Sequence, residues 1–212
     1  MPQAKAVAKK YKLAATLYDF LLPRYTEQTL GAALKNISIA SNQKILDIGC
    51  GTGALEEKLL EKFPQMEITA LDVSPEMLKR ARKKFSDPQF VPNRIQWLEG
   101  DFLNLQLPRQ FFDTAFALSN FHYFPNPAEV LHKCLEVLKP AGRLVIVDWD
   151  RATLRGKIYN WAMPKWDRSF QRAYTEPEIT HLLTQSGFSV ERVFRFKTCF
   201  FWTMMALTAK KP

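Results

Sequence analysis

The sequence predicts a single α/β domain, a mostly parallel sheet of seven strands flanked by helices. Three observations carry this. At 212 residues the chain is long enough for one sizeable core and short for two. Short apolar segments alternate with helical patterns along most of its length. The stretch Lys44 to Gly53, KILDIGCGTG, runs an apolar strand into three closely spaced glycines and on into the helix-like ALEEKLLEKF.

The elements follow in order. Two helices are expected ahead of the glycines, near 11–22 and 26–36, then a strand at 44–48 and a helix near 53–63. Without Cβ atoms, Gly49, Gly51 and Gly53 let the backbone bend sharply and approach a ligand, and the helix that follows presents free N–H groups. Gly49, Gly51 and Ala54 also fit the G-x-G-x-x-G/A form of the dinucleotide fingerprint, a weak signal by itself. Asp47 separates the two readings. A carboxylate just ahead of the first glycine suits a cationic group and suits a pyrophosphate poorly. S-adenosylmethionine (SAM) carries an ammonium and a carboxylate on its methionyl end and no phosphate. The bland alternative is a strand–turn–helix whose glycines are structural only.

The second strand, near 67–71, ends at Asp72, nineteen residues after Gly53. An acid there can accept hydrogen bonds from both ribose hydroxyls. Ser74-Pro75-Glu76 starts a helix near 75–85, with serine as N-cap, proline in the first turn and an acid at the positive end of the dipole. A third strand near 94–98 is followed by Gly100-Asp101-Phe102, where a carboxylate can bond an adenine amino group and a ring can pack on the base. Each acid alone reads as an ordinary cap or surface residue; three in order, each closing a strand, read as a cofactor site. The fourth strand, 112–118, leads into Ser119-Asn120-Phe121-His122-Tyr123, then a helix near 126–138 and a fifth strand at 142–148. Thr175 and Glu178 form a capping box for a helix near 175–186, and Gly187 stops it. Strands near 188–196 and 199–208 complete the sheet.

With those residues in view, the chain resembles a class I SAM-dependent methyltransferase, of the quinone-biosynthesis (UbiE-like, type 11) branch. The resemblance runs from about Tyr11 to about Val193 through LDIGCGTG, LDVSPEMLKRAR, GDFLNL, FDTAFALSNFHYF, LKPAGRLVIVDW and YTEPEITHLLTQSGF. It implies a Rossmann-like sheet with an antiparallel last strand. It also implies four regions: N-terminal cap helices in 1–43, a SAM-binding core in 44–148, a substrate lid in 149–174, and a C-terminal helix and strand hairpin in 175–212. Carried over, Asp47, Gly49, Gly51 and Gly53 line the methionyl end, Asp72 the ribose, and Asp101 with Phe102 the adenine, with Cys50, Val73, Met77 and Ser119 also expected at the cofactor. The quinone enzymes carry an Arg-Asn pair where this chain has Ser119-Asn120-Phe121-His122-Tyr123, which sets the cofactor expectation apart from a quinone substrate.

Charge is unevenly spread. The net of +9 comprises a core from Lys44 to Asp148 with 13 basic and 14 acidic residues, and flanking regions with 17 basic and 7 acidic. The lid interleaves Trp149, Tyr159, Trp161, Trp166, Phe170 and Tyr174 with Arg151, Arg155, Lys157, Lys165, Arg168 and Arg172. Rings with cationic neighbours suit a lipid–water interface. The expectation is a cytoplasmic enzyme, peripheral at the inner membrane surface, acting on a small lipophilic acceptor such as a quinone precursor, an isoprenoid or phenolic compound, or a phospholipid headgroup. A solvated basic lid with a soluble acceptor is the alternative. No segment combines an apolar run of ~20 residues with the lack of charge a spanning helix needs.

Methyl transfer from a sulfonium is an in-line displacement whose reactivity the cofactor supplies. The protein positions the partners, excludes water and supplies a base where the acceptor must lose a proton. His122 and Tyr123, just past the fourth strand, are the candidates beside the methyl group, with a hydrogen-bonded structural histidine as the bland reading. His132 and His181 fall within predicted helices. Dispersed histidines and acids offer no metal cluster, and cysteines at 50, 134 and 199 form no disulfide framework. A nucleic-acid methyltransferase acting on an amino group needs a proline-paired turn after the fourth strand, absent here, and no cysteine is placed to attack a base. A SAM-binding module without activity and a nicotinamide oxidoreductase are the remaining classes.

Overall fold

In a computed structural model, residues 6–8, 23–35, 37–87, 94–198 and 202–212 are described. The helix expected near 11–22 and Cys199 lie outside them. The first long helix, α1, spans Pro23–Lys35, and the order then runs β1 (Lys44–Ile48), α2 (Ala54–Lys62), β2 (Glu67–Asp72), α3 (Pro75–Lys84), β3 (Ile95–Glu99) and β4 (Phe112–Leu118). A short 3-10 turn at Phe121–Tyr123 follows, then α4 (Pro127–Val137), β5 (Leu138–Trp149), α5 (Leu154–Trp166), α6 (Glu176–Gln185), β6 (Ser189–Lys197) and β7 (Thr203–Lys210).

The seven strands form one sheet in the order β3-β2-β1-β4-β5-β7-β6. β1 through β5 run parallel, and β7 is antiparallel to both its neighbours. Side-chain alternation splits the core in two. On β1, Leu46 and Ile48 face one layer and Ile45 the other; on β5, Leu144 and Ile146 oppose Val145 and Val147. α4 and α6 cover the first layer through Leu131, Cys134, Ile179 and Leu183. α1, α2 and α3 cover the second through Leu30, Leu59 and Leu78. The central strands are therefore buried on both faces, whereas the edge strands β3 and β6 alternate between intermediate and exposed positions.

The strand order reverses between β1 and β4, and ligands bind in the crevice at the carboxyl ends of strands at such a switch point. Every predicted strand is present. The bounds differ where periodicity is blind to pairing. β5 begins at Leu138 instead of 142, with a register shift against β4 between Phe112 and Thr114. β7 runs to Lys210, because its pairing with β5 extends from Trp149↔Met204 to Arg143↔Lys210. The lid also contains a helix, α5, that no sequence pattern marked.

Candidate functional site

A cavity of about 200 Å³ opens at the carboxyl ends of β1, β2 and β4, beneath α1. Of the residues expected at the cofactor, Asp47, Gly49, Cys50, Gly51, Asp72, Val73, Met77, Asp101, Phe102 and Ser119 all line it. Gly53 does not. It sits in the left-handed region (φ 81°) at the start of α2, where a Cβ would come within 2.8 Å of Phe85 and 3.1 Å of Trp97. The missing Cβ lets α2 pack against α3 and β3.

The turn is tied to β2. The N–H groups of Gly49 and Cys50 both donate to the Leu71 carbonyl, at 2.8 and 2.9 Å. Asp72 then clasps two elements: Oδ2 accepts from the Gly51 N–H at 2.9 Å and Oδ1 from the Ser74 N–H at 2.8 Å. Burial pushes its carboxyl up to about 6, against the hydrogen bonds from Ser74 and Gly51 that lower it. Burial also pushes the Cys50 thiol up, which keeps it protonated and unreactive. At the far end of the cavity, Asp101 accepts the Leu103 N–H at 3.1 Å. The Phe102 ring is only 2% exposed and belongs to the core, so it forms part of the wall.

Around Asp47 several buried acceptors are unpaired, and so is the Thr29 hydroxyl on the cavity wall. Asp47 Oδ1, both Glu56 carboxyl oxygens and Asn120 Oδ1 are buried without a hydrogen-bond partner. Asn120 itself donates to the Ile48 carbonyl, and its amide sits where a Gly49 Cβ would fall, 2.3 Å away. Unpaired buried acceptors are costly, and a group bringing N–H donors and positive charge satisfies them. The ammonium of SAM has that chemistry, and a pyrophosphate does not.

At the mouth, Ser119 holds a left-handed φ of 56°, and its hydroxyl lies 2.8 Å from that of Tyr25 on α1. Trp149 Nε1 donates to the Tyr25 hydroxyl at 3.0 Å. This chain of contacts joins the cavity to the lid. Tyr123 lines the cavity, and its hydroxyl donates to Asp167 at 3.4 Å. His122 is only 1% exposed and is not among the lining residues, so it stands one layer behind the position expected for it. Asp148 holds it from two sides, accepting the His122 backbone N–H at 2.9 Å and facing Nδ1 at 2.7 Å. The imidazole stacks on Trp149 with centroids 4.2 Å apart and leans on Tyr123 at 4.1 Å. The other ring nitrogen, Nε2, is buried without a hydrogen-bond partner. Asp148, Asn120, Glu56 and Tyr25 were not singled out from sequence. For Asp148 a signal existed: it is a fourth acid closing a strand.

The lid helix α5 is capped by Thr153, which accepts the Gly156 N–H at 3.1 Å, and it buries no residue. Leu154, Ile158, Trp161 and Trp166 are 74, 56, 68 and 87% exposed. Arg151 turns inward to Glu178, whose carboxylate also holds Arg172. Among the described residues no group of His, Cys, Asp and Glu is placed to hold a metal ion, and no helix is long and apolar enough to cross a membrane.

A doubly wound sheet with an acid-lined glycine turn at its switch point defines a nucleotide-cofactor protein, and the unpaired carboxylate oxygen of Asp47 in its pocket suits the ammonium of SAM. Comparison with known proteins agrees. Residues 45–142 match a family model described as a methyltransferase domain. The chain is 31% identical over 163 residues to the demethylmenaquinone methyltransferase of Thermotoga maritima, covering 76% of this chain and 67% of that one. It is 35% identical over 111 residues to a malonyl-[acyl-carrier protein] O-methyltransferase of Priestia megaterium, covering 52% of this chain and 38% of that one. Among solved structures it is similar to phosphoethanolamine N-methyltransferase 2 of Haemonchus contortus in complex with phosphomonomethylethanolamine and S-adenosylhomocysteine. That likeness has a TM-score of 0.71 at 15% identity and covers 88% of this chain and 52% of the other. The chain belongs to the class I SAM-dependent methyltransferases, enzymes whose cofactor is S-adenosyl-L-methionine.

Proposed function

We propose that this methyltransferase acts on a small lipophilic acceptor taken from an anionic membrane surface, with α5 as the element that docks. The observation that carries this is the unburied face of α5. Leu154, Ile158 and Trp161 follow at i, i+4 and i+7, Lys165 shares their side of the helix with its ammonium 3.4 Å from the centre of the Trp161 ring, Lys157 lies next to them and Trp166 stands beyond. Exposed rings and aliphatic side chains interleaved with cations fit the interface of a bilayer, where rings lie at headgroup level and cations meet anionic lipids. Arg151 is a fold residue in this reading, because its guanidinium is spent on Glu178.

In the site, Asp47 takes the ammonium of the cofactor, Asp72 the ribose hydroxyls, and Asp101 with Phe102 the adenine, while Gly49, Gly51, Val73, Met77 and Ser119 shape the space between them. The bound cofactor supplies an electrophilic methyl group. Tyr123 faces the acceptor. His122, fixed by Asp148 and packed on Tyr123 and Trp149, positions those rings and keeps water out. A soluble acceptor is the competing reading.

The test is co-sedimentation with vesicles, together with labelled SAM offered a lipid extract and, separately, water-soluble metabolites. Trp161→Ser with Trp166→Ser should reduce partitioning to anionic vesicles ~10-fold or more, since burying each ring contributes ~1.5–3 kcal/mol, and leave S-adenosylhomocysteine binding unchanged. Equal partitioning of wild type to neutral and anionic vesicles, or to neither, with label entering only water-soluble products, would establish the soluble acceptor.

A further inference from the structure

Glu56 is an unusual residue for the first turn of a surface helix. It is 0% exposed, and its carboxyl meets no side chain other than the Asp47 carboxyl at hydrogen-bonding range. Its neighbour Glu57 points outward and takes the nearest cation, Lys84, at 3.0 Å. Glu56 is turned the other way, against Asp47, which is 3% exposed and lines the cofactor cavity with an unpartnered Oδ1 of its own. Two carboxyls pressed together away from water cannot both ionise without a counter-charge. Among the described residues neither packs against a free cation, and the cavity that Asp47 lines is where positive charge can arrive.

We infer that Glu56 is a second carboxyl of the cofactor's cation site, that it shares a proton with Asp47 in the free protein, and that this proton leaves when an ammonium group binds. The inference rests on the reading of Asp47 as the ammonium's partner and adds a residue and a proton to it. The groups around the pair favour the shared proton. Asp47 comes from β1, the protonated Cys50 from the glycine turn, Asp72 from β2 and Lys84 from α3; burial and Asp72 oppose charge on both carboxyls, while on Glu56 its own backbone N–H, the hydrogen bond with Asp47 and Lys84, which is engaged with Glu57, act against that burial and are outweighed by it. Burial pushes Glu56 up to about 7 and Asp47 upward as well. The pair therefore passes between its protonated and ionised forms near neutral pH. An arriving ammonium supplies the missing donor and counter-charge together, so the ionised form is favoured in the complex and a proton goes to solvent. Binding tightens as pH rises through the titration of the pair and levels off above it.

Calorimetry of S-adenosylhomocysteine in buffers of different ionisation enthalpy counts the proton directly. Methylthioadenosine, which keeps the nucleoside and lacks the amino acid, reports what Asp72 and the ribose contribute. On the acid side of the pair's titration, where the free protein still holds the shared proton, S-adenosylhomocysteine should release close to one proton more than methylthioadenosine, and the excess should shrink as pH rises through that titration. The affinity of S-adenosylhomocysteine should fall by up to ~10-fold per pH unit below the titration of the pair, the limit for one linked proton. Glu56→Gln should abolish the extra proton and flatten the pH dependence of affinity. Equal proton release by the two ligands, or an extra proton that persists in Glu56→Gln, overturns the inference while leaving the cofactor site in place. Failure of S-adenosylhomocysteine to bind at all overturns the site itself. The wild-type proton count decides the matter even where the variant folds poorly.

Discussion

Asp72 is asked to serve the fold and the ligand at once. Its carboxylate accepts N–H groups from Gly51 and from Ser74, so it fixes the glycine turn and the start of α3 in addition to facing the cavity. Asp72→Ala should weaken S-adenosylhomocysteine binding by ~1–3 kcal/mol, and Asp72→Asn, which keeps one acceptor, by less; calorimetric affinities unchanged in both would remove the role. Gly49 answers to geometry alone. At φ 76° with Asn120 2.3 Å from a would-be Cβ, Gly49→Ala should abolish cofactor binding while the far-ultraviolet spectrum stays native. Glu56 has a stability signature separate from its proposed ligand. Its carboxyl rises from 4.5 unfolded to about 7 folded, so the fold favours the protonated form. Stability is then fullest below pH 4.5 and declines as pH rises towards 7. Glu56→Gln should be the more stable protein at pH 8, by ~1–3 kcal/mol, and lose that advantage by pH 4. Thermal melts that differ by the same amount at both pH values would contradict it.

Elements show why some of the site was legible and some was not. The glycine turn, the acids of β1 and β2 and the caps of α3 and α6 are local patterns, and each stands where its spacing placed it. The Tyr25–Ser119 and Tyr25–Trp149 contacts join residues 94 and 124 positions apart, and no window of sequence contains them. The helix α5 went unmarked for a different reason. Lys165 falls on the same side as Leu154, Ile158 and Trp161, and Gly156 and Pro164 interrupt the segment, so the apolar periodicity that makes a helix visible is broken. Its position depends on what it joins. Glu178 on α6 accepts from the Thr175 backbone and hydroxyl at 2.7 and 3.0 Å while holding Arg151 and Arg172. Glu178→Ala should cost about 1–2 kcal/mol at pH 7, the value of a cap with half-exposed ion pairs. Its carboxyl is held below the usual glutamate range by Thr175 and the two arginines, despite burial that opposes them. The loss should therefore fade as pH falls through that group's titration, which melts across pH 3–7 would follow.

The whole molecule divides its charge, with a core of 13 basic and 14 acidic residues carrying the cofactor cavity and basic flanks carrying the lid. Raising salt should release the protein from anionic vesicles, because exposed charges are screened beyond ~10 Å at 0.1 M, and leave S-adenosylhomocysteine affinity nearly unchanged. The sheet divides differently, by the order in which it is made. β7 lies between β5 and β6, and its register with β5 runs from Arg143↔Lys210 to Trp149↔Met204. On the ribosome, β5 emerges with one side already able to pair with β4 and the other bare until residues 203–210 appear. The strand that carries Asp148 to His122 is thus an open edge for about 60 residues of synthesis, roughly 3–12 s at 5–20 residues per second. A nascent chain halted at Lys197 would present an apolar ribbon of Leu144, Val145, Ile146 and Val147 to any strand nearby, including the same segment of the next polypeptide on the message. For this enzyme, then, the moment of greatest exposure to aggregation precedes the first moment at which the His122 cradle has its final backing.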